Sequence, residues 1–227
     1  MHPVFSTSGE VLPRGVRNRR VLAVLLTCVL AYSLVVVGLG RALDEASILL
    51  ALRMQGRLSY ALFIVALGAL GAHALMRGAA TTWLAFHRDA LYVGCCVSHL
   101  IHGVWIVVYF ASTNDRLGGN ASDVSGAVAF PVVALLLCAK TSAGRLVMAR
   151  AHAWVERSCV GYLWLQFVGF FLDRLGTPER RALAPWYLTA IVLGLVAGAL
   201  SVYGAHRRHA STERADRRSA RPRPSPN

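Results

Sequence analysis

The sequence predicts an all-α polytopic membrane protein, a six-helix transmembrane bundle with both termini cytoplasmic. Three observations predict it. The chain is 56% hydrophobic and only 15% charged, with a mean hydropathy of +0.50, whereas an average soluble domain is about a quarter charged. Its apolar residues are gathered into runs near the roughly 20 residues that span the hydrocarbon. Its basic residues lie between those runs and are unevenly distributed, within a formal net charge of +13. This composition excludes a disordered chain and argues against an ordinary soluble enzyme.

Residues 1–20 form a basic N-terminus carrying Arg14, Arg17, Arg19 and Arg20. The first span covers about 21–40. Its apolar run is too long for a signal peptide and no small-x-small cleavage site follows, so it is expected to be an uncleaved helix. Leu25-Leu26-Thr27-Cys28 is a poor lipoprotein box, because Thr precedes the Cys. The second span covers about 58–76 and the third about 90–112. The fourth, about 124–139, is the shortest and contains Pro131, which inside a membrane usually marks a kink. The fifth covers about 154–172 and the sixth about 185–203. Short connections leave no room for a second folded domain, so 21–203 is one transmembrane domain. The tail, 204–227, is rich in Arg, Ser and Pro and is expected to be disordered.

Orientation follows from Lys and Arg in the connections. The N-terminus, the second connection (Arg77, Arg88), the fourth (Lys140, Arg145, Arg150, Arg157) and the tail together hold seventeen. The opposite side holds seven: Arg41, Arg53, Arg57, Arg116, Arg174, Arg180 and Arg181. The richer side is cytoplasmic, and an even number of spans agrees with it. The basic tail is read as a topology signal beside anionic lipid, with no nucleic acid expected. All five cysteines (Cys28, Cys95, Cys96, Cys138, Cys159) fall within spans, as small packing residues rather than a disulfide framework. Gly68-x2-Gly71 and Gly194-x3-Gly198 are faces where helices can approach closely.

Ionisable groups inside a membrane each need an interior partner. On the third span, His99 and His102 share one face with Tyr92, Cys95, Ile106 and Tyr109, while Val93, Val97, Leu100, Val104, Val107 and Val108 form the other. They lie about 14 and 18 Å from the cytoplasmic end of that helix. Two central imidazoles suit a b-type haem or a proton path. They also suit plain hydrogen bonding to a neighbour such as Gln166. His73, His87 and His152 share an interfacial depth, and no second His stands in the middle of the fourth or fifth span.

At these residues the chain resembles the ferric-reductase-like transmembrane domain family, which includes haem-binding membrane subunits. The resemblance rests on His87-Arg88-Asp89-Ala90-Leu91-Tyr92-Val93-Gly94 running on to Ser98-His99-Leu100-Ile101-His102. It continues with Thr141-Ser142 and with Trp154 through Gly161-Tyr162-Leu163-Trp164, over roughly 56–203. It implies a bacterial inner (cytoplasmic) membrane protein that binds haem b and relays electrons to or from a separate partner. The chain would be at most the haem-bearing subunit of an oxidoreductase, supplied by quinol or a separate redox protein. His102 matches the family's third-helix ligand, with His99 as the alternative. Ser158 stands where the family has its fifth-helix His, which leaves His152 as the replacement and His73 as a further candidate. The implied ligands of the haem iron are then His102 and His152. Trp164, Phe167 and Phe171 form a stripe suited to core or lipid contact and secondarily to a haem edge. The departure at Ser158 favours a rival reading, a cofactor-free scaffold or assembly partner of the same architecture. A small His-dependent transporter is the third reading, but no inverted repeat or acidic residue at mid-depth accompanies it.

Overall fold

The computed structural model describes residues 14–39, 44–113, 121–148, 150–176 and 182–219, and the regular structure among them is helical. The elements are α1 (Arg14–Leu39), α2 (Glu45–Leu75), α3 (Ala79–Phe86), α4 (Arg88–Thr113), α5 (Ala121–Lys140), α6 (Ser142–Val147), α7 (His152–Leu175) and α8 (Ala184–Ser219). The six predicted segments fall in α1, α2, α4, α5, α7 and α8 in order. Four of the described helices, α1, α2, α4 and α8, are long and apolar enough to cross a membrane. In α5 the apolar stretch is shorter, Gly126–Lys140. Charged residues at both ends of α7 (Glu156 and Arg157, Asp173 and Arg174) shorten its apolar middle. Residues 1–13 and 220–227 of the predicted termini lie outside the described residues, as do Arg41, Arg116, Arg180 and Arg181.

Two boundaries differ from expectation. The second helix begins at Glu45 rather than Leu58. Arg53 and Arg57 lower the local hydropathy, but a helix requires only backbone bonding and a start signal. Asp44 supplies that signal, accepting the Ser47 amide at 2.8 Å. Hydrogen bonds from Ser47 hold the Asp44 carboxyl below its ordinary range. The second difference is the tail, predicted to lack structure from 204, which is helical through Ser219. No Gly or Pro falls between Gly204 and Pro222. Ala, Arg and Glu all favour helix, and extending a formed helix avoids the cost of nucleation.

Helices α2, α4, α5, α7 and α8 close a ring through successive neighbour contacts, and α1 packs outside it against α2 and α4. Side-chain pairings fix the directions. Gln55 bonds Ser98 while Phe63 meets Tyr92, so α2 and α4 are antiparallel. Phe171 meets Tyr187 while Trp164 bonds the Gly194 carbonyl, so α7 and α8 are antiparallel too. As a result the start of α1, the short α3 and α6, and the C-terminal end of α8 all gather at one end of the bundle.

Glycine permits the closest crossing. A Cβ at Gly71 would strike the backbone of Leu200, and one at Gly204 would sit 2.9 Å from the Gly71 nitrogen. Gly194 lies under the Tyr60 hydroxyl and Gly198 under the Trp164 indole. Both predicted small-residue faces are therefore helix contacts. The interior is apolar and aromatic around Phe63, Tyr92, Leu136 and Leu163. The exterior is apolar as well: Leu34 is 72% exposed, Val107 68%, Leu165 63% and Val202 72%.

Candidate functional site

Among the described residues, polar side chains cluster inside this apolar bundle in three places. The first lies where α1, α2 and α4 meet. Helical spacing puts Gln55 and Ser59 on one face of α2, opposite Ser98 of α4 and Ser33 of α1. The Gln55 side-chain amide donates to the Ser98 hydroxyl at 2.9 Å and to the Ser98 carbonyl at 3.2 Å. Its Oε1 accepts from the Ser33 hydroxyl at 3.0 Å. Ser59 Oγ lies 2.9 Å from both the Gln55 carbonyl and Ser98 Oγ, and its single proton bonds one of them at a time. Gln55, Ser59 and Ser98 are buried and fully engaged.

Next to Ser98 on α4 and one turn beyond it stand His99 and His102, with ring centroids 5.6 Å apart. Histidines at i and i+3 share a helix face, and here that face looks into the ring of helices. His99 lies between Phe130 of α5, at 5.3 Å, and Phe167 of α7, at 5.8 Å. His102 rests on α2, where Gly56 makes room: a Cβ there would lie 3.5 Å from the imidazole Cε1. Among the described residues, Nδ1 of each imidazole is buried without a hydrogen-bond partner.

The third place is the end of the bundle that carries α3 and α6. Lys140, at the last turn of α5, reaches Asp89 of α4 at 2.6 Å and Glu156 of α7 at 2.8 Å, with its side chain only 3% exposed. Arg88 stands 3.7 Å from Glu156. Both cations lie over the Tyr92 ring, at 5.0 and 5.1 Å. His87 is buried beside the Trp83 and Phe86 rings. This cluster joins three helices with its charges balanced.

The structure brings His99 and His102 together and leaves the other two sequence candidates apart. His152 opens α7, where its Nε2 lies 2.8 Å from the Ala139 carbonyl. That is the level of Lys140 and Asp89, ten residues from His99 along α4, or about 15 Å. His73, near the end of α2, faces the Thr82 hydroxyl at 3.4 Å. The donor set therefore does not fit a haem held by two histidines: the pair at mid-depth shares one helix, and His152 is engaged elsewhere. Trp164, Phe167 and Phe171 pack against α2 and α8, with Phe167 on Tyr60 and Phe63 and Phe171 on Tyr60. Among the described residues no group of three or more His, Cys, Asp or Glu is placed to hold a metal ion. The five cysteines are free thiols, with Cys95, Cys96 and Cys159 buried.

Sequence reasoning missed Gln55, Ser59 and the Lys140–Glu156 pair as interior groups. Gln55 fell in a predicted connection, and Lys140 was counted as a topology charge. A signal for the first existed in Gln55-x3-Ser59, two uncharged polar residues one turn apart on one helix face, with Arg53 and Arg57 on another. No protein-family model, curated protein or solved structure matches this chain.

Proposed function

We propose that the chain is a multi-pass protein of the bacterial inner membrane, crossing six times with both termini cytoplasmic. Within it, the geometry favours a cofactor-free scaffold or assembly partner. The observation that carries the membrane reading is the apolar exterior. Large aliphatic side chains stand exposed along α1, α4, α7 and α8, far beyond the apolar patches of a soluble monomer. The basic segments gathered at one end by the alternating helices support the orientation. What carries the scaffold reading is the use made of the interior polar groups. Gln55, Ser98, Lys140, Glu156, His152 and Trp164 each tie one helix to another. The ring nitrogen a haem would need from α7 is held by α5.

A second reading has one observation in its favour, the two unpartnered Nδ1 atoms at mid-bundle. It is a b-type haem bound through a single imidazole of this chain, His102 or His99, with electrons supplied by quinol or a separate redox protein. Absorbance spectra of the purified protein, expressed with ample haem, oxidised and then dithionite-reduced, separate the two. The scaffold reading expects no Soret band. A stoichiometric band that disappears in His102→Ala and persists in His87→Ala overturns it.

A further inference from the structure

We propose that the groove between α1 and the α3–α4 corner is a binding site for one anionic phospholipid of the cytoplasmic leaflet. The proposal rests on the membrane reading above. The groove is a cavity of about 290 Å³. Val24, Leu25 and Leu91 line its shaft, which runs from Arg20 to Cys28 along α1, about 12 Å at helical rise. Its floor is closed because Leu25 packs onto Gly94, where a Cβ would lie 2.6 Å from the leucine methyl. One end differs chemically from the rest. There Arg20 stands with Trp83 and His87, at the bundle end that carries the basic segments.

The shape suits a chain and the ends suit an amphiphile. A narrow apolar shaft opening sideways from the bundle accepts an acyl chain and offers nothing to a compact polar solute. Arg20 and its neighbour Arg19 are exposed, and among the described residues neither forms an ion pair with an acidic side chain. A guanidinium at that depth pairs with a phosphodiester through two parallel N–H donors. Trp83, 43% exposed, belongs to the headgroup level that amphipathic aromatics occupy. A choline headgroup would bring its own cation toward Arg19 and Arg20, so the site selects a headgroup without one.

The test is native mass spectrometry of the full chain in non-ionic detergent, titrated with phosphatidylglycerol or phosphatidylcholine of identical acyl chains. Phosphatidylglycerol should bind about five-fold tighter, the ratio expected of one basic side chain near an anionic headgroup. Arg20→Gln should equalise the two lipids, and Arg77→Gln, at the same end but outside the groove, should leave the preference intact. Val24→Trp, which fills the shaft, should weaken both lipids. Unfolding temperatures show that each variant is folded, and should Val24→Trp fail that check, Arg20→Gln decides alone. Equal binding by the wild type, or an unchanged preference in Arg20→Gln, overturns the proposal. A chain that carbonate washing strips from membranes overturns the membrane reading instead. Millimolar inorganic phosphate should not displace the lipid, because it has nothing to place in the shaft; displacement would overturn the site as drawn.

Discussion

Gln55 and Lys140 both join helices through polar atoms inside the bundle, yet their removal should differ in cost. Gln55→Leu deletes the bonds to Ser33 and Ser98. Ser33 keeps the Val29 carbonyl and Ser98 keeps Ser59, so neither hydroxyl is orphaned. The loss should be about 1–2 kcal/mol, the scale of interhelical hydrogen bonds in membranes. Lys140→Met instead leaves the Asp89 and Glu156 carboxylates facing each other without their shared cation. Arg88, at 3.7 Å, relieves Glu156 only in part. Lys140 is buried, but Asp89 is 57% exposed and Glu156 19%, so solvent screening should bring the loss to about 2–3 kcal/mol, below the cost of breaking a fully buried pair. Adding Glu156→Gln to Lys140→Met should recover part of that loss. Thermal unfolding in detergent of the two single variants and the double variant measures all three. Equal losses for Gln55→Leu and Lys140→Met would contradict the arrangement. The histidine pair was legible at this scale because i, i+3 spacing fixes a shared face whatever surrounds it. The unlike roles of Lys140 and Arg77 were not legible, since both are single basic residues after an apolar run. Only the packing of α5 between α4 and α7 turns one of them inward.

Element identity was legible where hydropathy and helix coincide, and illegible where they part. Segments about 90–112 and 154–172 came close to α4 and α7, because Arg88 and Asp89 at the start of α4, and charges near both ends of α7, end the apolar run close to where the helix itself ends. For α2 the two signals separate, since Arg53 and Arg57 end the apolar window while the backbone continues to Asp44. The glycine faces were legible as faces but carried no partner or distance. The structure ranks them. At Gly68 an added Cβ would meet the flexible Leu200 side chain at 3.5 Å, an ordinary contact. At Gly71 it would meet the Leu200 backbone, which cannot turn aside. Gly68→Ala should therefore be nearly neutral in thermal unfolding, while Gly71→Ala should destabilise by about 1–3 kcal/mol, the range of overpacked cores. A cysteine crosslink between α2 and α8 should then form more slowly in Gly71→Ala than in wild type. Similar unfolding temperatures for the two variants would mean that this crossing is looser than drawn.

At the scale of the whole molecule, direction alternates along the chain from α1 through α2, α4, α5, α7 to α8, so the proposed six crossings would return the C-terminus to the side of the N-terminus. The basic residues argue the same orientation independently, because Lys and Arg are retained on the cytoplasmic side while helix direction depends only on connection length and packing. Six crossings require α5, whose apolar stretch is the shorter Gly126–Lys140, and α7, whose uncharged middle lies between Arg157 and Asp173. If α5 and α7 instead lay at the surface, α4 and α8 would be consecutive crossings and both termini would still be cytoplasmic. Tests at the termini alone cannot distinguish four crossings from six. The discriminating position lies between α5 and α7, at α6. Six crossings put that connection in the cytoplasm and the α4–α5 connection outside. Four crossings with α5 and α7 at the surface put both connections on one side. Cysteines introduced singly at Ala143, in α6, and at Asn120, beyond α4, in a chain freed of its native thiols, should respond oppositely to a membrane-impermeant maleimide applied to intact cells. Asn120→Cys should be labelled and Ala143→Cys protected until the membrane is opened. Matching behaviour at the two positions would remove α5 and α7 from the membrane. Asp89, at the start of α4, would then lie on the opposite side of the membrane from Lys140 and Glu156, and the Lys140–Asp89 contact could not form.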